Sequence, residues 1–219
     1  MSTFISLLIS FLITVTSVLS ADSRPDSRTQ YPGNAGRGQF LDFIYPFCDH
    51  VFSPFQDSDR QSFRLLKKRL VGRYGEYRRS YKPGHLHAGI DLQGRYSEEV
   101  YAVGRGRVTH IFRTYPNKTV IIKHFLRDAG SFYSVYTHLE DIHVNLGDRV
   151  DERTPLARLF TEKELLDAKF GTANHVHLEI RKSMEDEGSA SYSSMTLDEL
   201  NKFCLDPLEF FRKKMRQGD

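Results

Sequence analysis

His175-Val-His-Leu-Glu-Ile-Arg181 alternates polar and apolar side chains. Successive residues of a β-strand point to opposite faces, so the pattern predicts a half-buried strand with Val176 and Leu178 turned to the core. His175, His177 and Glu179 then share the other face. Two imidazoles at this spacing can both reach one metal ion, although His-x-His also arises by chance in a chain with nine histidines. Glu179 reads equally well as an orienting group behind a ligand or as a solvated strand residue.

Outward from this stretch, short runs rich in Val, Ile, Tyr and Phe recur at 100–103, 107–115, 119–125 and 131–139. Turn signals separate them: the glycines at 104 and 106, Pro116-Asn117, Asp128-Ala-Gly130 and Gly147-Asp148. This rhythm predicts a mainly β fold, an antiparallel β-sandwich or open barrel, rather than βαβ units. Short peripheral helices are expected as well. Thr161-Glu-Lys-Glu164, Thr196-Leu-Asp-Glu199 and Asp206-Pro-Leu-Glu209 have the capping-box pattern, the last with Pro at the first helical position.

A chain of 219 residues holds one domain with extensions, or two small ones. The net charge of +3 is only mildly basic and argues against a dedicated nucleic-acid protein. Residues 1–20 carry no charge, and 4–19 are mostly apolar. With Val18 and Ser20 at small-residue positions, 1–20 reads as a secretory signal peptide, which places the rest outside the cytoplasm, secreted or periplasmic. The alternative is an uncleaved anchor, for which the run is marginal, since a span needs about 20 residues. Residues 21–65 read as a linker followed by a segment that packs, 66–182 as the β domain, and 183–219 as a helical extension. Nine basic residues against Glu76 alone fall within 60–82, the pattern of a solvated face or of attraction to an anionic polymer. Cys48 and Cys204 permit a disulfide in an exported chain, and a loop of that length favours one by about 4–5 kcal/mol in chain-entropy terms. The other reading is two buried thiols.

Two further stretches bear on the histidine strand. In His87-Ala-Gly-Ile-Asp91, an extended backbone puts His87, Gly89 and Asp91 on one face. Gly89 has no side chain, so the two flanking groups can converge on one ion; imidazole nitrogen and carboxylate oxygen are ordinary zinc ligands. Tyr136-Thr-His138-Leu139 closes an aromatic-rich strand and by itself reads as structural. His50, His85, His110, His124 and His143 have no partner pattern, and isolated histidines are usually surface or hydrogen-bonded residues.

Taken in order, these three motifs closely resemble the lysostaphin-type peptidases, the M23 family of β-lytic zinc endopeptidases. Tyr74-Gly-Glu-Tyr-Arg78, Val100-Tyr-Ala-Val-Gly-Arg-Gly106, Val120-Ile-Ile-Lys-His124 and Val144-Asn-Leu-Gly-Asp-Arg-Val150 resemble further stretches of that family. The resemblance covers about 66–182. It implies one zinc ion held by His87, Asp91 and His177, with His138 and His175 as catalytic residues that do not bind the metal. Three protein ligands leave a fourth tetrahedral position open, as in catalytic rather than structural sites. The implied reaction is hydrolysis of peptide bonds in peptidoglycan, in cross-links or stem peptides. The alternative is a catalytically silent, M23-like zinc-binding regulatory or wall-binding module; domains of that kind lose ligands or catalytic histidines, and here all five positions are occupied. A covered variant is also conceivable, with 40–55 lying in the groove. One departure is clear. The family's Ser-Thr-Gly-Pro-His-Leu-His loop is replaced by a capped helix at 161–169 and then Gly171-Thr-Ala-Asn-His175.

Overall fold

The computed structural model describes residues 47–79, 82–127, 130–168 and 174–215. The leader at 1–20, the linker stretch up to 46 and Gly171-Thr-Ala lie outside the described residues.

The histidine strand, β9 (His175–Arg181), sits in the middle of the main sheet. Eight strands make up that sheet, in the order β1 (Leu70–Gly72), β2 (Ile90–Gln93), β9, β6 (Gly130–Thr137), β5 (Thr119–Leu126), β4 (Gly106–Phe112) and β7 (Arg149–Val150), with β10 (Cys204–Leu205) also paired to β9. Every pairing is antiparallel. β10 lies beside β9 at Ile180 and Arg181, past the start of β2, whose Ile90 pairs with Leu178. A second sheet pairs β3 (Glu99–Tyr101) with β8 (Pro155–Arg158). The order runs from β1 to β7 without closing into a barrel. The fold is thus mainly β and antiparallel, with short helices at its edges.

The alternation in β9 orients the whole sheet. Ile90, Leu178, Tyr136 and Val120 stand opposite one another across four strands, and all are fully buried. Leu92, Val176, Ile122 and Ile180 join them in one cluster. Each such side chain contributes about 1.5–3 kcal/mol by leaving water. The hydrophilic set of β9 is consequently forced to the opposite face.

The segment at 47–55 packs on the core face. Cys48 N–H donates to Phe125 O at 2.6 Å and Phe52 N–H to Val103 O at 2.8 Å. Val51 and Phe55 are fully buried in the main cluster. The sheet separates these residues from the His175 face, so for 47–55 the expected cover over the groove is corrected. The disulfide expectation is corrected too: both cysteines are free. Cys48 lies in the main cluster and donates its S–H to His50 O, whereas Cys204 packs with Leu86, Ala190 and Leu200 in a separate cluster. Each thiol is held in its own apolar cluster.

The helices follow their caps. Glu164, in α2 (Glu162–Ala168), accepts from Thr161 N–H at 2.8 Å, and its own N–H donates to Thr161 Oγ1 at 3.2 Å. α4 (Leu197–Phe203), which follows the single turn α3 (Ala190–Ser193), has a complete capping box between Thr196 and Glu199. Asp206 caps α5 (Pro207–Lys214), with Pro207 in its first turn, through Leu208 N–H rather than a reciprocal box; Glu209 turns to Arg212 instead. Phe211 of α5 is fully buried in the main cluster, so the C-terminal segment completes the core. In α1 (Phe63–Lys68) and its surroundings the basic run divides. Arg60 donates to backbone carbonyls, Arg69 pairs with Asp57 and Glu98, and Arg78 pairs with Asp91. Arg64, Lys67, Lys68, Arg73, Arg79 and Lys82 are exposed.

Candidate metal centre

Asp91 on β2 is the direct cross-strand partner of His177 on β9, and Thr137 on β6 faces His177 from the other side. Three strands thus present one row of polar side chains on the face turned away from the core. His175 and Glu179 flank His177 on that face.

His87 arrives by a different route. The expected strand through His87–Asp91 is shorter in the fold, because β2 begins only at Ile90. Backbone hydrogen bonds fasten His87 in place: Gly75 N–H donates to His87 O and His87 N–H to Glu76 O, both at 2.8 Å. Gly89 therefore does not act by sitting between two ligands on one strand face. A Cβ there would lie 2.4 Å from Leu178 O and 3.0 Å from the His177 ring, so its role is to let the approach to β2 touch β9.

Three donor atoms converge as a result. His87 Nε2 lies 2.8 Å from His177 Nδ1 and 3.0 Å from Asp91 Oδ1, and Asp91 Oδ1 lies 3.1 Å from His177 Nδ1. Ligand atoms around tetrahedral zinc, with bonds near 2.0 Å, stand about 3.3 Å apart. The triangle is close to one face of such a tetrahedron. Among the described residues this trio forms a cluster of donors suited to a metal ion.

Each donor is also held from behind. His87 Nδ1–H donates to Arg73 O at 2.7 Å, which leaves Nε2 as the lone-pair nitrogen. His177 Nε2–H donates to Glu179 Oε1 at 3.0 Å, which leaves Nδ1. Arg78 Nη2 donates to Asp91 Oδ2 at 2.6 Å, which leaves Oδ1. Outer partners of this kind set tautomer and ring orientation. The donor set and its tautomers fit a zinc ion.

Charges respond to the crowding. Burial lowers the His87 pKa, although Asp91 opposes it. Burial works against the Asp91 charge, yet hydrogen bonds from His177 and His87 hold its carboxyl well below the usual carboxylate range. Burial also works against charge on His177, but Asp91 and Glu179, on its two nitrogens, raise its pKa to about 9, so a metal ion taking Nδ1 would displace a proton from it. Burial, with His175 and His177 beside it, pushes His138 well below the usual histidine range.

His138 reaches the site by breaking the alternation. Thr137 already faces the site as the partner of His177, so a continued strand would aim His138 at the core. β6 ends at Thr137, and His138 adopts a left-handed backbone with φ +68°. Its ring then lies 5.0 Å from that of His175 and 6.2 Å from that of His177. His175 Nε2 stands 3.8 Å from Asp91 Oδ1, just outside the donor triangle.

All five residues line one open cleft of about 820 Å³. Phe112, Pro116, Ala168, Met184, Gly188 and Tyr192 line it as well. Sequence reasoning missed several participants. His85 lines the cleft and bonds Lys82 O through Nδ1 at 2.7 Å, with no sequence pattern to flag it. Arg78 stood in a motif, but its pairing with Asp91 had no signal there.

Residues 85–190 match the model of peptidase family M23. This stretch, 85–190, belongs to the family. Among solved structures, this M23 domain is similar to the antimicrobial peptidase lysostaphin from Staphylococcus simulans, with a TM-score of 0.52 and 18% identity over 78% of this chain. The match spans 58% of that lysostaphin chain. LytU is 23% identical, with a TM-score of 0.46, over 66% of this chain and 85% of its own. A zinc containing peptidase from Vibrio cholerae is 19% identical, with a TM-score of 0.43, over 60% of this chain and 37% of its own. At 18% identity the likeness to lysostaphin speaks for the fold alone. No curated protein matches the sequence.

Proposed function

We propose that this protein is an exported zinc metalloendopeptidase that hydrolyses peptide bonds in peptidoglycan cross-links or stem peptides. The observation that carries the reading is the donor triangle of His87, Asp91 and His177, backed atom by atom, with His138 and His175 beside it in one cleft. Zinc held there would act as a Lewis acid and bring the pKa of water towards about 7. The chain's own residues supply the rest. An imidazole from the His138 and His175 pair accepts the proton that the attacking water loses, and the other donates N–H to the carbonyl oxygen as charge develops on it. His138, kept uncharged by burial, suits either task. The family and the lysostaphin-like fold support peptidoglycan as the substrate. The apolar stretch at 4–19 supports export; among the described residues no helix is long and apolar enough to cross a membrane.

The test is the protein loaded with zinc and incubated with peptidoglycans of several cross-link chemistries. New amino groups are expected, and they disappear with a chelator, with His138→Ala and with His175→Ala. Each histidine substitution is expected to cost about 100-fold or more in rate, the scale of a general acid–base contribution. A preparation that binds one zinc and cleaves no wall type overturns the reading and leaves a zinc-binding module.

A further inference from the structure

Behind His177 the polar contacts continue, away from the metal-facing side of the ring. Glu179 is buried at 2% exposure and Arg181 at 0%. Glu179 Oε1 accepts both the His177 Nε2–H, at 3.0 Å, and the Ser191 hydroxyl. Glu179 Oε2 accepts Arg181 Nη1–H at 2.8 Å. Arg181 donates through Nη2 to Asp186, and through Nε to Ser183 O at 3.3 Å. Asp186 in turn gathers the loop: its Oδ2 accepts Ala190 N–H at 2.8 Å and its Oδ1 accepts Gly188 N–H at 3.2 Å.

The charges also pair in sequence along this path. Arg181 lies between Glu179 and Asp186, so neither buried carboxylate is left without a cation. Residues of the same loop form one wall of the cleft, through Met184, Gly188 and Tyr192. One continuous set of hydrogen bonds therefore joins a wall of the cleft to the outer nitrogen of a metal-binding imidazole. A carboxylate with a single partner can swing about its side chain; Glu179 is gripped on both oxygens, on Oε2 by Arg181 of its own strand and on Oε1, beside His177, by Ser191 of the loop.

We infer that Asp186 and Ser191 are positioning residues, which hold the His177 ring in its metal-binding orientation through Glu179 and thereby couple the 183–193 wall to metal affinity. The inference rests on the zinc-site reading above. By linkage the coupling is reciprocal: if the loop orients the ring for zinc, zinc must steady the loop.

The probe is zinc alone, in competition with a chromophoric chelator, on the full chain. Ser191→Ala and Asp186→Asn are expected to weaken zinc binding about 10–100-fold, the usual cost of losing an outer partner of a metal ligand. Ser191→Thr, which keeps the hydroxyl, is expected to restore it. In the wild type, zinc is expected to slow amide exchange across 183–193, and Glu179→Gln to abolish that slowing. Affinities within twofold of wild type for both Ser191→Ala and Asp186→Asn overturn the inference, and so does exchange in the wild-type loop that ignores zinc. If Asp186→Asn fails to fold, Ser191→Ala against Ser191→Thr decides. No zinc binding by the wild type, or wild-type affinity in His177→Ala, would instead overturn the metal site itself, a separate result.

Discussion

Gly72 and Gly89 govern the metal centre without carrying a donor. A Cβ on Gly72 would lie 2.3 Å from Asp91 Oδ2 and 2.7 Å from Arg78 Nη2. Both obstacles are ends of side chains, so Gly72→Ala is expected to fold and to displace the Asp91–Arg78 pair. Zinc affinity should fall at least 10-fold by chelator competition while the melting temperature changes little; unchanged affinity would contradict the role given to that pair. Gly89→Ala differs in kind, because its Cβ meets the Leu178 carbonyl, part of a central strand that cannot yield. That overpacking is expected to cost about 1–3 kcal/mol or more in denaturant unfolding, with or without zinc. A stability equal to wild type would show that the strand gives way after all. At this scale His87, Asp91, His175 and His177 stood out in the sequence as candidates from residue type and spacing, and the division into ligands and His175 came from the family resemblance. His138 was legible only through family resemblance, because a single left-handed residue reverses its face.

Strand β5 carries a buried histidine that the metal site does not use. His124 Nδ1–H donates to Arg105 O at 2.7 Å, and Nε2 accepts the Ser134 hydroxyl at 2.7 Å. The Ser134 hydroxyl lies 3.0 Å from that of Tyr136, which accepts Val103 N–H at 2.8 Å. The chain ties β5 and β6 to the turn after β3, and it suits a neutral ring. Burial lowers the His124 pKa from 6.5 to about 4. Between those values the unfolded chain binds a proton that the folded chain refuses, so this contribution to stability is present above about pH 6.5 and is lost as pH falls towards 4. The full effect is on the order of 3 kcal/mol. His87 and His138 shift in the same direction, so the comparison is with His124→Gln, which should flatten the fall in unfolding free energy between pH 7 and pH 5. Parallel profiles for the two proteins would exclude His124 as a source. From sequence this was an isolated histidine without a partner pattern; its chain of four hydrogen bonds needed three segments brought together.

Cys48 and Cys204 sit in different apolar clusters. Burial pushes both thiols up to about 12, and neither has the other within its apolar cluster. Reductant is therefore expected to leave the melting temperature unchanged, and two thiols should titrate per unfolded chain without it. A chain that titrates none would carry the bridge instead. Phe211→Ala is expected to cost about 3–5 kcal/mol, because α5 closes the main cluster with that ring. Its zinc affinity, measured under folding conditions, should stay close to wild type, since α5 stands on the core side of the sheet.

Strict alternation in β9, repeated short β runs and capping boxes are local patterns, and local physics sufficed to read a mainly β, antiparallel fold with short helices. Spacing offered His87, Asp91, His175 and His177 as candidates, and the family resemblance implied which three would bind a metal. Their convergence to a triangle of about 3 Å edges depended on contacts distant in sequence: β2 registering on β9, Gly89 against Leu178, and Arg73, Arg78 and Glu179 behind the donors. Whether two cysteines bond, which face His138 takes and what wall stands beside the cleft were likewise decided by the tertiary structure. Each turns on which surfaces exclude water together, and sequence spacing carries no record of that.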